Sequence, residues 1–413
     1  MLGMKVLHLN ATLTGGAAQA ALRLHYALLK KGVDSYVWLQ DLQGGVLSDR
    51  ILGPRTRLAK ALSLMRPYLD KAPVLLYPKR KKGTFNLGWL PFSPVLSMIK
   101  KIDPDIVHLH WIGRGMLPLR DLPKIKKPLV WTLHDMWAFT GGDHYYTDED
   151  EHVYKHSCIL NSPFVLDLAT LGFWMKQRAY AKIPQLAIVG VSNWIFQCAQ
   201  KSALLQDKQH FLIGNPIDTQ IYKPMDKEFC RQLLGLNTSK KLVGFGANIA
   251  DPIKGYDLLE QALEKLDPHL EIELVIFGSQ FFKKPSFPFK THFLGRLSDA
   301  TSLVALYNAL DVTLAPSRQE NLSNIVMESL ACCTPVVAFA VGGLLDLITH
   351  KENGYLARPF DIEDLKAGIE WVLTTQDYTR LCEHARNSVL DRFSEHVIAR
   401  QMLNLYKEIL HKI

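Results

Sequence analysis

Ala315-Pro-Ser-Arg-Gln-Glu-Asn-Leu-Ser-Asn-Ile-Val-Met-Glu-Ser-Leu-Ala-Cys-Cys-Thr-Pro-Val-Val-Ala-Phe-Ala-Val-Gly-Gly343 places two carboxylates, Glu320 and Glu328, around the start of a helix. Asp311 to Ala315 is a short apolar run suited to a buried strand. Pro316 to Ser323 carries loop residues, and Asn324 to Leu330 has helical character that Pro335 ends. Glu320 therefore falls on the loop and Glu328 inside the helix. A helix start aims unpaired backbone N–H groups and a partial positive charge outward, so a diphosphate is its natural guest. Two nearby carboxylates then accept hydrogen bonds from sugar hydroxyls. For either glutamate alone the competing explanation is a solvated acid in an ordinary βαβ unit. The combination is what points to a nucleotide-sugar site.

Outward from this stretch, apolar strand candidates alternate with helical ones: Lys5–Asn10, Ser35–Leu39, Ile106–His110, Leu129–Leu133, Leu186–Val191, then Leu242–Gly246, Leu274–Phe277, His292–Leu294, Val312–Ala315 and Pro335–Ala338. That rhythm specifies a parallel α/β architecture. The strands fall into two sets separated near Gly214-Asn-Pro-Ile-Asp218, whose Gly, Asn and Pro mark a turn or linker. The expected fold is two doubly wound, Rossmann-like domains, residues 1–214 and 215–392, facing each other across a cleft. Ligands of such sheets bind outside the carboxyl ends of the strands.

A chain of 413 residues, 48% hydrophobic, can bury cores of that size. Its six cysteines are scattered without CxxC or metal-ligand spacing, which points to a reducing, cytoplasmic compartment. Met1 to Asn10 lacks the apolar core of a signal peptide, and no segment approaches the roughly 20 apolar residues of a membrane span. The formal charge of +8 is unevenly spread. Arg55, Arg57, Lys60 and Arg66 flank Leu58, Ala61, Leu62 and Met65, and Lys79-Arg-Lys-Lys82 follows. Such a basic amphipathic segment binds anionic lipid at about 1 kcal/mol per basic side chain near the surface, or else it is a solvated face. Contact with the inner face of a membrane through Arg55–Lys82 is the resulting expectation. Nucleic acid is not an expected partner, because no helix-turn-helix, zinc-finger or RNP motif accompanies the charge.

Other strand ends carry candidate groups. Gly15 and Gly16 let the backbone approach a ligand before a small-residue helix, although the pair also suits a plain tight turn. His134 and Asp135 fall where a strand meets a glycine-containing loop. An imidazole there can donate to a sugar hydroxyl or to developing charge, or simply satisfy loop backbone. Trp111, Trp131, Trp137, Phe139, Tyr145 and Tyr146 offer apolar platforms, of which one or two are expected to meet a sugar and the rest to be core. Lys254 is the cation of the loop after Leu242–Gly246 and suits a diphosphate leaving group as a point charge. Gly342 and Gly343 present further backbone N–H groups. Asp103-Pro-Asp105 and Asp148-Glu-Asp150 match a short metal-binding D-x-D pattern, but their contexts favour capping and solvation, and no metal is expected. No serine–histidine–acid set, HExxH or GxxxxGK[ST] is present.

With these residues the chain resembles a retaining glycosyltransferase of family four with the GT-B fold, the group that builds bacterial surface polysaccharides and lipopolysaccharides. The resemblance rests on Gly15-Gly16, Asp105-Ile-Val-His-Leu-His110, Trp131-Thr-Leu-His-Asp135, Gly190-Val-Ser192, Gly214-Asn-Pro-Ile-Asp218, Lys254-Gly255, the Glu320 to Glu328 spacing, Thr334-Pro-Val-Val337 with Gly342-Gly343, and Asn353-Gly-Tyr-Leu356. It implies a UDP- or GDP-type sugar donor and a glycan or lipid-linked acceptor, without a cofactor. Gly15 and Gly16 would approach the donor diphosphate and His134 the donor sugar. Lys254 would bind the diphosphate, Glu320 the sugar hydroxyls and Glu328 the ribose. Asn321, Leu322, Ser323, Gly342 and Gly343 would complete the donor site, while Asp135, Trp111 and Trp137 would serve the acceptor side. A last helix, Phe393–Ile413, would pack back on the first domain.

The chain departs from the family pattern at three places. Asn248 stands where many relatives carry an arginine, which makes Arg318 the candidate replacement cation. Asn321 and Cys333 stand where relatives commonly have glycine. Cysteines frequent after the His-Asp loop are represented by Cys158 alone, so a metal or disulfide there is not expected. The alternatives are an epimerase-like enzyme on the same fold and an inactive sugar-nucleotide-binding scaffold subunit.

Overall fold

The computed structural model describes residues 3–42, 45, 47–77, 83–145, 167–246, 251–278, 287–297 and 299–412. Asn248, Tyr146, Cys158, Asp148–Asp150 and Lys79–Lys82 lie outside them. The chain forms two compact units, Met1–Pro216 with Ile398–Ile413, and Ile217–Val397.

The first unit is built on β1 (Lys5–Thr12), β2 (Asp34–Asp41), β3 (Ile51–Leu52), β4 (Ile106–Leu109), β5 (Leu129–Leu133), β6 (Leu186–Gly190) and β7 (Gln209–Leu212). All are paired in parallel in the order β3-β2-β1-β4-β5-β6-β7. The central strands are buried on both faces, so they read as apolar runs instead of alternating ones. Helix Gly16–Lys30 presses Leu24 and Leu28 onto Val6, Ile106 and Val130.

The second unit repeats the plan with β8 (Lys241–Gly246), β9 (Ile272–Phe277), β10 (Thr291–Gly295), β11 (Val312–Ala315), β12 (Val336–Phe339) and β13 (Gly354–Ala357). These are parallel in the order β10-β9-β8-β11-β12-β13. Helices Tyr256–Glu264 and Ile362–Thr374 cover one face through Leu259, Leu263, Leu365 and Ile369. In each sheet the winding reverses between the first strand and the fourth, at β1/β4 and at β8/β11. The ends of those strand pairs are where an open parallel sheet offers a crevice.

Ser394 breaks the expected continuous helix Phe393–Ile413. Phe393 closes helix Tyr378–Phe393, and a separate helix spans Glu395–His411. From Ile398 on, the chain belongs to the first unit, where Ile398, Met402, Leu405, Tyr406 and Ile409 join the core of Val6, Leu24 and Ile106. Three strands went unread in the sequence, β3, β7 and β13, each at a sheet edge. The two-residue β3 and the half-wet β7, with its exposed Gln209 and Leu212, carry a weak apolar signal, whereas β13 is largely buried but short and opens on a glycine. Among the described residues no helix is long and apolar enough to cross a membrane.

Candidate functional site

At the winding reversal of the second sheet, the chain leaving β8 carries Lys254 and the chain leaving β11 carries Glu320. Lys254 Nζ donates to Glu320 Oε2 at 2.7 Å, and Ser317 Oγ donates to the same oxygen at 3.4 Å. The Glu320 carboxylate raises the Lys254 pKa against the opposing effect of burial, so the ammonium stays charged. Both contacts fall on Oε2, which leaves Oε1 able to accept from a ligand hydroxyl. Two glycines permit this approach. Gly255 has φ +66°, and a Cβ there would lie 1.9 Å from the Pro316 carbonyl oxygen. Gly342 has φ +52°, and its Cβ would lie 2.1 Å from the Glu320 carbonyl oxygen. The amides of Arg318 and Gly343 donate to Ile253 O (2.7 Å) and Glu320 O (2.9 Å), locking the loops after β8, β11 and β12 into one backbone cluster.

Helix Asn324–Ala331 starts beside this cluster. Its N-cap, Ser323, makes no side-chain capping bond, so the hydroxyl leaves the first helical amides to other partners. Asn321, Leu322 and Ser323 are buried in the approach to the helix. Glu328 is buried one turn further in, and its Oε2 accepts from the Tyr307 hydroxyl at 2.9 Å. Burial and the Glu328 charge hold that phenol well above its ordinary pKa, so it remains a donor. Tyr307 is itself pinned by Thr334 Oγ1, which donates to its carbonyl at 2.6 Å.

Arg318, the candidate replacement cation, lies on the same loop as Glu320. Its guanidinium makes a two-pronged pair with Asp257, at 2.7 and 2.6 Å, and donates to Pro252 O at 3.0 Å. Its charge is matched by Asp257 as that of Lys254 is by Glu320, and it braces the Lys254 loop. Asn321 has no left-handed backbone, so the glycine common at this position is not required by φ. Cys333, by contrast, has φ +64° and adopts a glycine conformation with a side chain.

In the first unit, exposed Gly15 and Gly16 end the β1 loop and open helix Gly16–Lys30. Trp111 follows β4, and His134 and Asp135 follow β5, so these groups gather at the carboxyl edge of this sheet. Asp135 Oδ2 accepts from Trp111 Nε1 (2.9 Å) and His144 Nδ1 (2.6 Å), and Oδ1 accepts from the Trp137 amide (2.9 Å). Burial pushes the Asp135 carboxyl up, but His144 and the Trp137 amide outweigh it and the net shift is downward. Trp137 is corrected from platform to core. It is 2% exposed, its Nε1 donates to Asn86 O at 2.7 Å, and Lys176 Nζ lies 4.1 Å from the ring centroid. Trp131 and Phe139 are also buried, whereas Trp111 is half-buried. Of the D-x-D acids, Asp103 pairs with Lys127 and Asp105 accepts from the Lys5 amide, both at sheet margins.

A row of imidazoles, not foreseen as a unit, runs behind His134. His110 Nδ1 meets His134 Nε2 at 3.0 Å, and His110 Nε2 meets His8 Nδ1 at 3.0 Å. His108 bridges Tyr406 Oη (2.6 Å) and Thr132 Oγ1 (2.7 Å). Burial lowers every pKa in the row, to about 4 for His134 and about 3 for His108. All four are therefore neutral near pH 7. His8 Nε2 has no partner among the described residues. A buried bare acceptor costs less than a buried orphan N–H. Assigned from this network, His8 and His110 are protonated at Nδ1 and donate along the row, and His134 keeps its proton on Nδ1, the nitrogen not facing His110. The available signal was the i, i+2 spacing of His108 and His110, which in extended chain puts both on one side of β4 and the residue that follows it. His8, His108 and His110 also form a cluster of metal-ligand type, with one atom of each within 4.8 Å of the others. Their nitrogens are engaged with one another, His134, Tyr406 and Thr132, apart from His8 Nε2.

Comparison with known proteins follows the same division. Residues 14–220 match the family described as Glycosyltransferase Family 4, and residues 226–388 match Glycosyl transferases group 1. An uncharacterized glycosyltransferase of Methanocaldococcus jannaschii is 28% identical over 186 residues, 43% of this chain and 47% of that protein, so the chain spans about half the length of this relative. The D-inositol 3-phosphate glycosyltransferase of Corynebacterium aurimucosum is 26% identical over 334 residues, 75% of this chain and 73% of that protein. Sucrose-phosphate synthase from Thermosynechococcus elongatus superposes with a TM-score of 0.71 over 100% of both chains at 16% identity, a likeness of fold. The two parallel Rossmann-like sheets are those of the GT-B fold, and with the first match covering half of its residues, the chain belongs to glycosyltransferase family 4.

Proposed function

We propose that this protein is a retaining glycosyltransferase that moves a sugar from a UDP- or GDP-type nucleoside diphosphate to a glycan or lipid-linked acceptor of the cell surface, as in polysaccharide or lipopolysaccharide assembly. The observation that carries this reading is the Lys254–Glu320 pair, held by backbone contacts at the winding reversal of the second sheet beside a helix start whose N-cap hydroxyl caps nothing. Lys254 and the helix amides receive the diphosphate, Glu320 Oε1 accepts from a donor-sugar hydroxyl, and Glu328, oriented by Tyr307, accepts from the ribose. Charge develops on the leaving phosphate as the anomeric C–O bond breaks, and a fixed ammonium with fixed amides stabilises it without reorganisation. The acceptor hydroxyl attacks on the same face and gives its proton to that phosphate, so configuration is retained without a protein nucleophile. No metal is needed in this reading, and activity should survive a chelator. His134, neutral and with its proton on Nδ1, is a hydrogen-bond donor suited to a sugar hydroxyl. The setting is the cytoplasm, at an anionic membrane face.

Thermal stabilisation by a panel of UDP-, GDP-, ADP- and dTDP-sugars tests the donor site, since a ligand bound to the folded state raises apparent stability by mass action. One donor class should shift the wild type and not Glu328→Ala, and an absence of any shift counts against the reading. A scaffold that binds donor without turnover is the second reading. It is favoured by Arg318 being committed to Asp257, and it predicts stabilisation without transfer.

A further inference from the structure

Helix Arg57–Lys71 is inside out. Its buried residues are Ser63, Pro67 and Asp70, whereas Leu58, Leu64, Met65 and Tyr68 are exposed to solvent, Leu62 and Leu69 are exposed beside a neighbouring cavity, and Leu75 and Leu76 follow at about 80% exposure. Its inner side is fastened by polar bonds. Asp70 accepts from Asn86 Nδ2 at 3.1 Å, and Arg66 donates to the carbonyls of Gly115 (2.7 Å), Pro91 (3.0 Å) and Leu90 (3.2 Å). The helix therefore cannot roll its leucines inward without breaking these bonds. An apolar face of this extent fixed toward solvent marks an interaction site.

Beside this helix lies a cavity of about 880 Å³ walled by Trp38, Leu52, Leu62, Leu90, Met98 and Met116. That volume is in the usual range of small-molecule sites, about 300–1,000 Å³. Its ionisable lining is one-signed. Lys5, Arg55, Arg66 and Lys101 border it, and no acidic residue does among those described. Arg66 is spent on carbonyls and Lys5 donates to Ile102 O, whereas Arg55 and Lys101 are exposed. The cavity thus combines an apolar interior with surplus positive charge, next to an outward apolar helix.

We infer that this cavity binds one anionic, phosphate-bearing membrane lipid, with its hydrocarbon chain inside and its phosphate on Arg55 and Lys101, while helix Arg57–Lys71 dips its leucines into the bilayer. The inference deepens the membrane-side reading above and rests on it. It also supplies a physical link to the candidate site. From Asp70 of this helix, hydrogen bonds run to Asn86, on to His144 (2.9 Å) and then to Asp135 (2.6 Å), the neighbour of His134.

The test uses the full chain and dodecyl phosphate below its micellar concentration, followed by calorimetry, with dodecyl maltoside and inorganic phosphate as controls. Dodecyl phosphate should bind and inorganic phosphate should not. Ala59→Trp, which fills the cavity from its wall, should weaken dodecyl phosphate binding at least tenfold. Arg55→Glu with Lys101→Glu should do the same, leave any maltoside binding unchanged, and abolish flotation with phosphatidylglycerol vesicles. Absence of dodecyl phosphate binding, undiminished binding in both variants, or equal flotation with phosphatidylcholine and phosphatidylglycerol would overturn the inference. The charge variant changes two surface residues and reports even if the tryptophan variant fails to fold. Nucleotide-sugar stabilisation, which depends on the second unit, is measured in parallel. Its loss in the wild type would count against the transferase reading, and its presence with no lipid binding would count against this one alone.

Discussion

In the proposed donor site Lys254 and Glu320 hold each other in place, because the carboxylate keeps the ammonium charged and the ammonium fixes the carboxylate. Their spacing depends on Gly342, where a methyl group would collide with the Glu320 carbonyl. Gly342→Ala is expected to displace Glu320 and reduce transfer at least tenfold while the secondary structure stays intact by circular dichroism, and an unchanged rate would show that the loop packing is irrelevant to the site. At Cys333 a non-glycine residue in left-handed backbone is strained by roughly 1 kcal/mol. Cys333→Gly relieves that strain against a comparable entropic cost, so urea titration should find it neutral to about 1 kcal/mol more stable, where an ordinary glycine substitution destabilises by about that amount. The imidazole row makes a third prediction. His108 and His134 have folded pKa values near 3 and 4, below the unfolded value near 6.5, so the unfolded chain binds more protons in acid. Their contribution is whole above pH 6.5 and is lost as pH falls from 6.5 toward 4. The urea midpoint should drop between pH 7.5 and 5, and a flat profile would contradict the burial described. Lys254, Glu320 and Glu328 could be picked out in the sequence because strand ends and a helix start locate them. Asp257 and Tyr307 could not, since their partners, Arg318 and Glu328, are 61 and 21 residues away in the chain.

Strands buried on both faces announce themselves by apolar runs, which is why the central strands of both sheets were legible within a residue or two. The two-residue β3 and the half-wet β7 carry no such signal. Helix Arg57–Lys71 shows the opposite limit. Its leucine and arginine pattern reads as amphipathic from sequence, but which face points inward depends on Asp70, Asn86 and Arg66 finding partners, and that is tertiary information. Helix Glu395–His411 is structural for the first unit. Leu405 is buried against the β-sheet core, and Tyr406 donates or accepts at His108. Leu405→Ala should cost about 2–5 kcal/mol in chemical denaturation, in line with cavity formation at buried leucines. A loss below 1 kcal/mol would mean the helix is only loosely attached.

At the level of the whole molecule, the same winding is used twice, and each sheet gathers its polar groups at the strand ends that flank its reversal. In the second unit these are Lys254, Glu320 and the start of helix Asn324–Ala331, and in the first they are Gly15, Trp111, His134 and Asp135. Family membership accounts for the architecture, while the outward leucines and the cationic cavity carry the proposed lipid contact. The central claim is that this site transfers a sugar from a nucleoside diphosphate. The direct measurement is NMR of the product formed from the donor that the binding panel selects, comparing the wild type with Glu320→Gln and Lys254→Ala. A product sugar with the donor's anomeric configuration, formed about 10²–10³ times more slowly by either variant, is the predicted result. Wild-type rates in both variants, or an inverted anomer, would contradict it.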